Sequence, residues 1–211
     1  AGWNKHTQFL EEVSFTDGKI YVRGKLAARG KGKRADYILY YKPNIPIAII
    51  EAKDNNHSVR AGIQQALEYA RILDIPSVFS SNGDGFLFHD RSYTGTPVPV
   101  AKKQNESLKH SETGVSEYGR APAQNEQELP LDQFPSPADL WQRYKRYKGI
   151  TEKEELIAAQ DYYTDGSGRH PRYYQQIAIN RTVEAIAKGQ DRALLVMATG
   201  TGKTYTAFQI V

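Results

Sequence analysis

Up to residue 91 the chain alternates short apolar runs with turn-forming residues. Ala35 to Tyr41 (ADYILYY) is rich in strand formers, and Lys42 to Pro46 (KPNIP) reads as a turn from its proline and asparagine content. Ile47 to Lys53 (IAIIEAK) is almost continuously apolar until it ends on charge, the pattern of a buried central strand. Thr16-Asp17-Gly18 punctuates two further strand-like runs and predicts a hairpin. After the loop from Asp54 to Ser58, with Ser58 a candidate N-cap, Val59 to Leu73 sets Val59, Ile63, Ala66, Leu67, Ala70 and Leu73 at helical spacing. Asn82-Gly83-Asp84-Gly85 then predicts a hairpin between Ser77–Ser81 and Phe86–His89. Residues 92–137 lose this patterning and hold six of the ten prolines, which predicts a long loop or disordered insertion. Helical patterning returns over Ala138–Tyr147 and about Tyr174–Lys188, the latter stopped by Gly189. Ala193 to Ala198 (ALLVMA) reads as a short strand running into Thr199-Gly200-Thr201-Gly202-Lys203-Thr204. These shifts divide the chain into a core of one domain (1–91), a proline-containing insertion or linker (92–137), a helical linker (138–170) and the start of a second domain (171–211).

Composition removes several function classes. The 211 residues contain no cysteine, which excludes disulfide scaffolds, Cys-ligated zinc, iron–sulfur clusters and Cys nucleophiles. No apolar run approaches the roughly 20 residues of a membrane span. The net charge of +4 says little by itself, but its distribution is uneven. Seven basic residues and no acid lie between Lys19 and Arg34, and Arg143, Lys145, Arg146 and Lys148 interleave with Tyr144 and Tyr147. Each cluster is either a solvated face or a contact for phosphates. The five histidines are scattered without metal-ligand spacing, and the Asn82–Gly85 turn lacks the length and terminal Glu of a calcium loop.

Chemistry gathers at the ends of two neighbouring strands. Glu51 and Lys53 are two residues apart on a strand and so share a face, and a hairpin through KPNIP brings Asp36 beside them. Two carboxylates at contact repel unless a cation lies between them. Oxygen-only ligands suit Mg²⁺, which takes one or two carboxylates and keeps waters or phosphate oxygens. A lysine beside such an ion can orient or deprotonate a water, or stabilise charge developing on a phosphate. This set points to metal-assisted phosphodiester hydrolysis.

GKRADYIL, IAIIEAK and IQQALEYA together resemble the nuclease domain of the restriction (R) subunit of type I restriction–modification enzymes, in the PD-(D/E)XK superfamily. The resemblance implies a mixed α/β sheet with flanking helices, with Asp36 and Glu51 as metal-binding acids and Lys53 as the E-x-K lysine. It further implies a supporting Q-x-x-x-Y motif at Gln65 and Tyr69, whose spacing of four puts both on one helix face. Ala35 stands where the superfamily has proline, and no N-terminal helix is expected before the first strand.

The run ALLVMATGTGKT resembles the P-loop of superfamily 2 helicases and translocases, with Met197 in place of the first P-loop glycine. Glycines let backbone N–H groups approach phosphates; Lys203 would reach the β- and γ-phosphates and Thr204 would hold Mg²⁺, within a cradle of Thr199, Gly200, Thr201 and Gly202. Arg172-Tyr173-Tyr174-Gln175 resembles the adenine-reading Q motif, with the Gln175 amide as donor and acceptor, Gln176 being the neighbouring alternative. The chain stops seven residues after Thr204, so the resemblance implies a truncated RecA-like segment not expected to hydrolyse ATP alone.

The resemblance thus implies a fragment of an ATP-dependent, DNA-translocating, Mg²⁺-dependent endonuclease. It implies double-stranded DNA and the methyltransferase and specificity subunits as partners, ATP with Mg²⁺ as cofactors of the intact protein, and a cytoplasmic location. Three alternatives remain open: a helicase-fused repair or phage-defence nuclease, an inactive DNA-binding or assembly module, and an ATP-binding module with an incidental E-x-K.

Overall fold

The computed structural model describes residues 2–16, 20–23, 26–29, 31–93, 125–164, 166, 168 and 170–211. Its centre is a six-stranded mixed sheet built from β1 (Phe9–Phe15), β4 (Lys33–Tyr40), β5 (Pro46–Ala52), β6 (Ser77–Ser81), β7 (Gly85–Asp90) and β8 (Glu126–Pro130), paired in the order β1-β4-β5-β6-β7-β8. A separate pair comprises β2 (Ile20–Arg23) and β3 (Leu26–Arg29). The β4–β5 hairpin closes through Lys42–Ile45, with Ile45 N–H donating to the Lys42 carbonyl. β5 and β6 are parallel, as expected when the intervening chain crosses over as a helix, here α1 (Ile63–Leu73).

Strand alternation sorts the core onto two faces. Ile38, Tyr40 and Ile49 meet Ile63, Ala66, Tyr69, Ala70 and Leu73 of α1 on one face. Leu39, Ala48, Ile50, Phe79 and Phe88 meet Leu140, Trp141 and Tyr144 on the other. The last three belong to α2 (Pro137–Lys148), which a Ser136–Asp139 capping box starts and Gly149 ends. The stretch read as a helical linker therefore supplies the sheet's second covering layer. It is followed by α3 (Glu152–Ala158), α4 (Tyr173–Ala187) and α5 (Lys203–Ile210).

Four expectations need correction. β1 pairs with β4, and β2 with β3, so the strands flanking Thr16-Asp17-Gly18 do not pair with each other; residues 17 and 18 themselves lie outside the described set. The stretch expected to be loop contains β8, an edge strand that buries only Leu129 and is held by pairing with β7. Residues 94–124 of that stretch lie outside the described set. Ser58 does not cap α1: its Oγ accepts from the Arg60 N–H in a preceding turn, and the cap position is Gly62. Residues Ala193–Ala198 form no strand and pair with none among the described residues, leaving Leu194 and Val196 at 89% and 88% exposure. An apolar run becomes a strand only when another strand meets its backbone groups.

Candidate active site

The α1-facing side of β4 and β5 ends in charge. Asp36 lies two residues before Ile38, and Glu51 two after Ile49, so pleating puts both carboxylates on the face that α1 covers. The Asp36 N–H donates to Glu51 Oε1 at 3.4 Å, and the Ala52 N–H donates to Asp36 Oδ2 at 2.8 Å. Lys53 Nζ stands 3.9 Å from Glu51 Oε2. One turn into α1, Gln65 Nε2 donates to Glu51 Oε2 at 2.6 Å, while Gln65 Oε1 accepts from Lys53 Nζ at 3.3 Å. Gln65 Nε2 also lies 3.1 Å from the Tyr69 hydroxyl. The structure thus brings Asp36, Glu51, Lys53, Gln65 and Tyr69 together in one continuous set of contacts.

The electrostatics of this cluster are those of an acid short of a cation. Glu51 is fully buried, and burial, reinforced by the neighbouring Asp36, raises its carboxyl from about 4.5 to about 7. Lys53 opposes the rise without cancelling it. Asp36 and Lys53 are half-buried, so the cluster opens on its strand-end side. Among the described residues no group of three or more His, Cys, Asp or Glu side chains could hold a metal. Two carboxylates nevertheless satisfy an ion that keeps water or phosphate oxygens as its remaining ligands, and this donor set fits Mg²⁺ or Mn²⁺.

Two contacts at this cluster were not anticipated from the sequence. Gly62 sits directly against Glu51 and Ser80, and its N–H donates to Ser80 Oγ at 3.1 Å. Phe15 packs edge-on against Tyr69, with ring centres 5.1 Å apart, and also meets Tyr173 at 6.1 Å. Tyr173 opens α4, so the second segment touches the packing beneath the Gln65–Tyr69 pair.

The glycine-rich loop is formed as a loop–helix junction. Gly200 and Gly202 take φ of 77° and 78°, the left-handed region that side chains resist, and Gly202 turns the chain into α5. Lys203 and Thr204 occupy the first turn of α5 and are exposed, with Lys203 Nζ donating to the Met197 carbonyl at 3.3 Å. Gln175 is buried, and both ends of its amide are engaged within the chain. Oε1 accepts from the Arg172 N–H at 2.9 Å, and Nε2 donates to the Thr201 carbonyl at 3.0 Å. A cleft of about 310 Å³ opens beside it, lined by Arg172, Tyr174, Gln175, Thr201 and Tyr205 among others. Gln176 instead donates to the Asn44 carbonyl at 3.1 Å and helps dock α4 on the sheet. The second basic cluster is largely spent on internal pairs: Lys145 on Glu155, Lys148 on Asp74 and Glu184, and Arg143 on Asp90.

The proteins that this chain resembles are subunits of restriction enzymes. Residues 5–96 match the family model described as type I restriction enzyme R protein N terminus, and residues 169–211 match that of the type III restriction enzyme res subunit. Through these stretches the chain is similar to the R subunits of type I restriction enzymes. Over its whole length it is 51% identical to the EcoAI endonuclease subunit of Escherichia coli and 29% identical to the EcoKI endonuclease subunit of strain K12. It spans 23% and 20% of those two proteins. A solved fragment of an HsdR subunit from Vibrio vulnificus YJ016 superposes on 99% of the chain, with TM-score 0.67 and 38% identity, and the chain spans 34% of it.

Proposed function

We propose that the sheet carries the Mg²⁺-dependent, DNA-cleaving site of a type I restriction enzyme, and that the Thr199–Thr204 loop begins the ATP-driven motor that moves DNA. The observation that carries this reading is Glu51: a fully buried carboxyl, raised to about 7, held beside a second carboxylate and a lysine. A fold tolerates so unfavourable a charge where a cation is to be bound.

In this reading Asp36 and Glu51 would hold the ion, which when bound would supply Lewis-acid chemistry for water attack on the phosphate. Lys53, on the same strand face, orients the attacking water or donates to the phosphate oxygen on which charge develops. The Gln65 amide bridges Glu51 and Lys53, fixing the rotamer of each, and the Tyr69 hydroxyl fixes Gln65 in turn. The restriction-endonuclease-like core and a RecA-like second domain follow from the same reading. So do the partners: double-stranded DNA, and the methyltransferase and specificity subunits that choose the sequence. At the second site Lys203 and Thr204 take the phosphates and their Mg²⁺, and Gln175 borders the cleft where a base would lie.

The test uses the full-length subunit assembled with its partner subunits. Asp36→Asn and Lys53→Ala should each lower DNA cleavage by about a hundredfold or more, the scale of losing a general acid–base or charge-stabilising group. ATP hydrolysis by the same preparations should be unchanged. Retention of cleavage by both variants would overturn the assignment and favour an assembly role.

A further inference from the structure

Arg60-Ala61-Gly62-Ile63 leads into α1 on the side facing the acid–lysine cluster. Gly62 has φ −89° and ψ −12°, a conformation open to any residue, so the backbone does not require glycine here. Space does. A Cβ at this position would lie 2.6 Å from Ser80 Oγ, 3.1 Å from Glu51 Cβ and 3.4 Å from the Glu51 carbonyl oxygen. The Glu51 Cβ and carbonyl are fixed by the strand, and the Ser80 hydroxyl can give way only by turning aside within a fully buried site. Glu51 lies in β5, between β4 and β6, and Ser80 is fully buried in β6, paired with Glu51 on one side and Leu87 on the other.

The helix start is also held from outside. Arg60 pairs with Glu126 at 3.0 Å and with Glu128 at 2.9 Å, both on β8, and the Gly62 N–H is bound to Ser80 Oγ. Three residues on, Gln65 makes its 2.6 Å bond to Glu51 and its 3.3 Å bond to Lys53. The distance between the Gly62 backbone and β5 therefore sets the height of the Gln65 amide over Glu51 and Lys53.

We propose that Gly62, seated on Ser80, is a positioning residue of the cleavage site: its missing side chain lets α1 approach closely enough for Gln65 to bridge Glu51 and Lys53. The inference rests on the nuclease reading above. A methyl group at residue 62 must lift the first turn of α1 by several tenths of an ångström or turn the Ser80 hydroxyl aside, and either loosens Gln65.

The experiment compares Gly62→Ala, Ser80→Ala and the double variant in the full-length subunit, assembled with its partners, at saturating Mg²⁺. Gly62→Ala should lower the maximal cleavage rate by about tenfold or more, the scale of a small misplacement of catalytic groups, with DNA affinity and ATP hydrolysis unchanged. Ser80→Ala removes the nearer obstruction, so the double variant should cleave faster than Gly62→Ala. Cleavage by Gly62→Ala at the parental rate, equal loss of cleavage and ATP hydrolysis, or a double variant no faster than the single would each overturn the proposal. Asp36→Asn and Lys53→Ala run alongside. If they too cleave normally, the nuclease reading has failed; if they are inactive while Gly62→Ala is normal, only the spacing inference has failed.

Discussion

Replacing Glu51 by glutamine should make the metal-free protein more stable above neutral pH, although it removes a group proposed to bind metal. Burial, aided by Asp36, holds the Glu51 carboxyl at about 7 against an ordinary 4.5. An acid raised in the folded state costs stability where the folded chain must ionise it. Below pH 4.5 both states hold the proton and nothing is lost. Between 4.5 and 7 the unfolded chain alone releases it, and stability falls. Above 7 the loss levels off at about 3 kcal/mol. Glutamine removes that loss but offers one acceptor where Glu51 takes bonds from both the Gln65 amide and the Asp36 N–H. Leaving one donor unmet returns about 1 kcal/mol. The net expectation is a gain of about 2 kcal/mol at pH 8 and a loss of up to about 1 kcal/mol at pH 4. Urea unfolding with a chelator present would show this as a midpoint about 1 M higher at pH 8 for a slope of about 2 kcal/mol/M. Equal destabilisation of Glu51→Gln at both pH values would refute the reasoning, because it would mean that the fold already neutralises the carboxylate.

Asp74 is the opposite case. It ends α1 in the left-handed region, at φ 60°, and although burial pushes its carboxyl up, Lys148 at 2.5 Å and Arg181 at 2.9 Å bring it down to about 2. Asp74→Asn keeps the backbone conformation but should lose about 2 kcal/mol at neutral pH, and the difference from the parent should fade as pH falls from 3.8 towards 2. Denaturant midpoints at pH 7 and pH 2.5 check this. Lys203→Ala in the full-length subunit should weaken ATP binding by about tenfold or more through loss of a charge-assisted phosphate contact. Fluorescent-nucleotide titration reads this, and unchanged affinity would remove Lys203 from the phosphate site.

What could be read in the sequence was what depends on neighbours along the chain. The KPNIP turn between two apolar runs put Asp36 beside Glu51 because a hairpin of that length leaves little choice of register. The spacing of four between Gln65 and Tyr69 put both on one helix face, and the structure joins them at 3.1 Å. Asn82–Gly85 likewise marked the β6–β7 hairpin. What escaped was set by distant partners. β8 buries only Leu129, and its pairing with β7 spans a stretch more than 30 residues long. β1 and β2 looked like one hairpin because the turn signal between them was read without the competing pairing to β4. ALLVMA has the composition of a strand but no strand to pair with among the described residues. Gly62 was not singled out, because the periodicity placed it inside a helix running from Val59; only the position of Ser80 and Glu51 beneath it shows why it bears no side chain.

The central claim, that Asp36 and Glu51 form a metal site poised by burial, is tested most directly by calorimetric titration of Mn²⁺ at pH 6, 7 and 8, with Asp36→Asn in parallel. Binding must displace the Glu51 proton wherever it is held. The account therefore predicts one saturable site whose affinity rises about tenfold per pH unit below 7, levels off above it, and is lost in Asp36→Asn. No saturable binding at pH 8, or equal binding by Asp36→Asn, would contradict it.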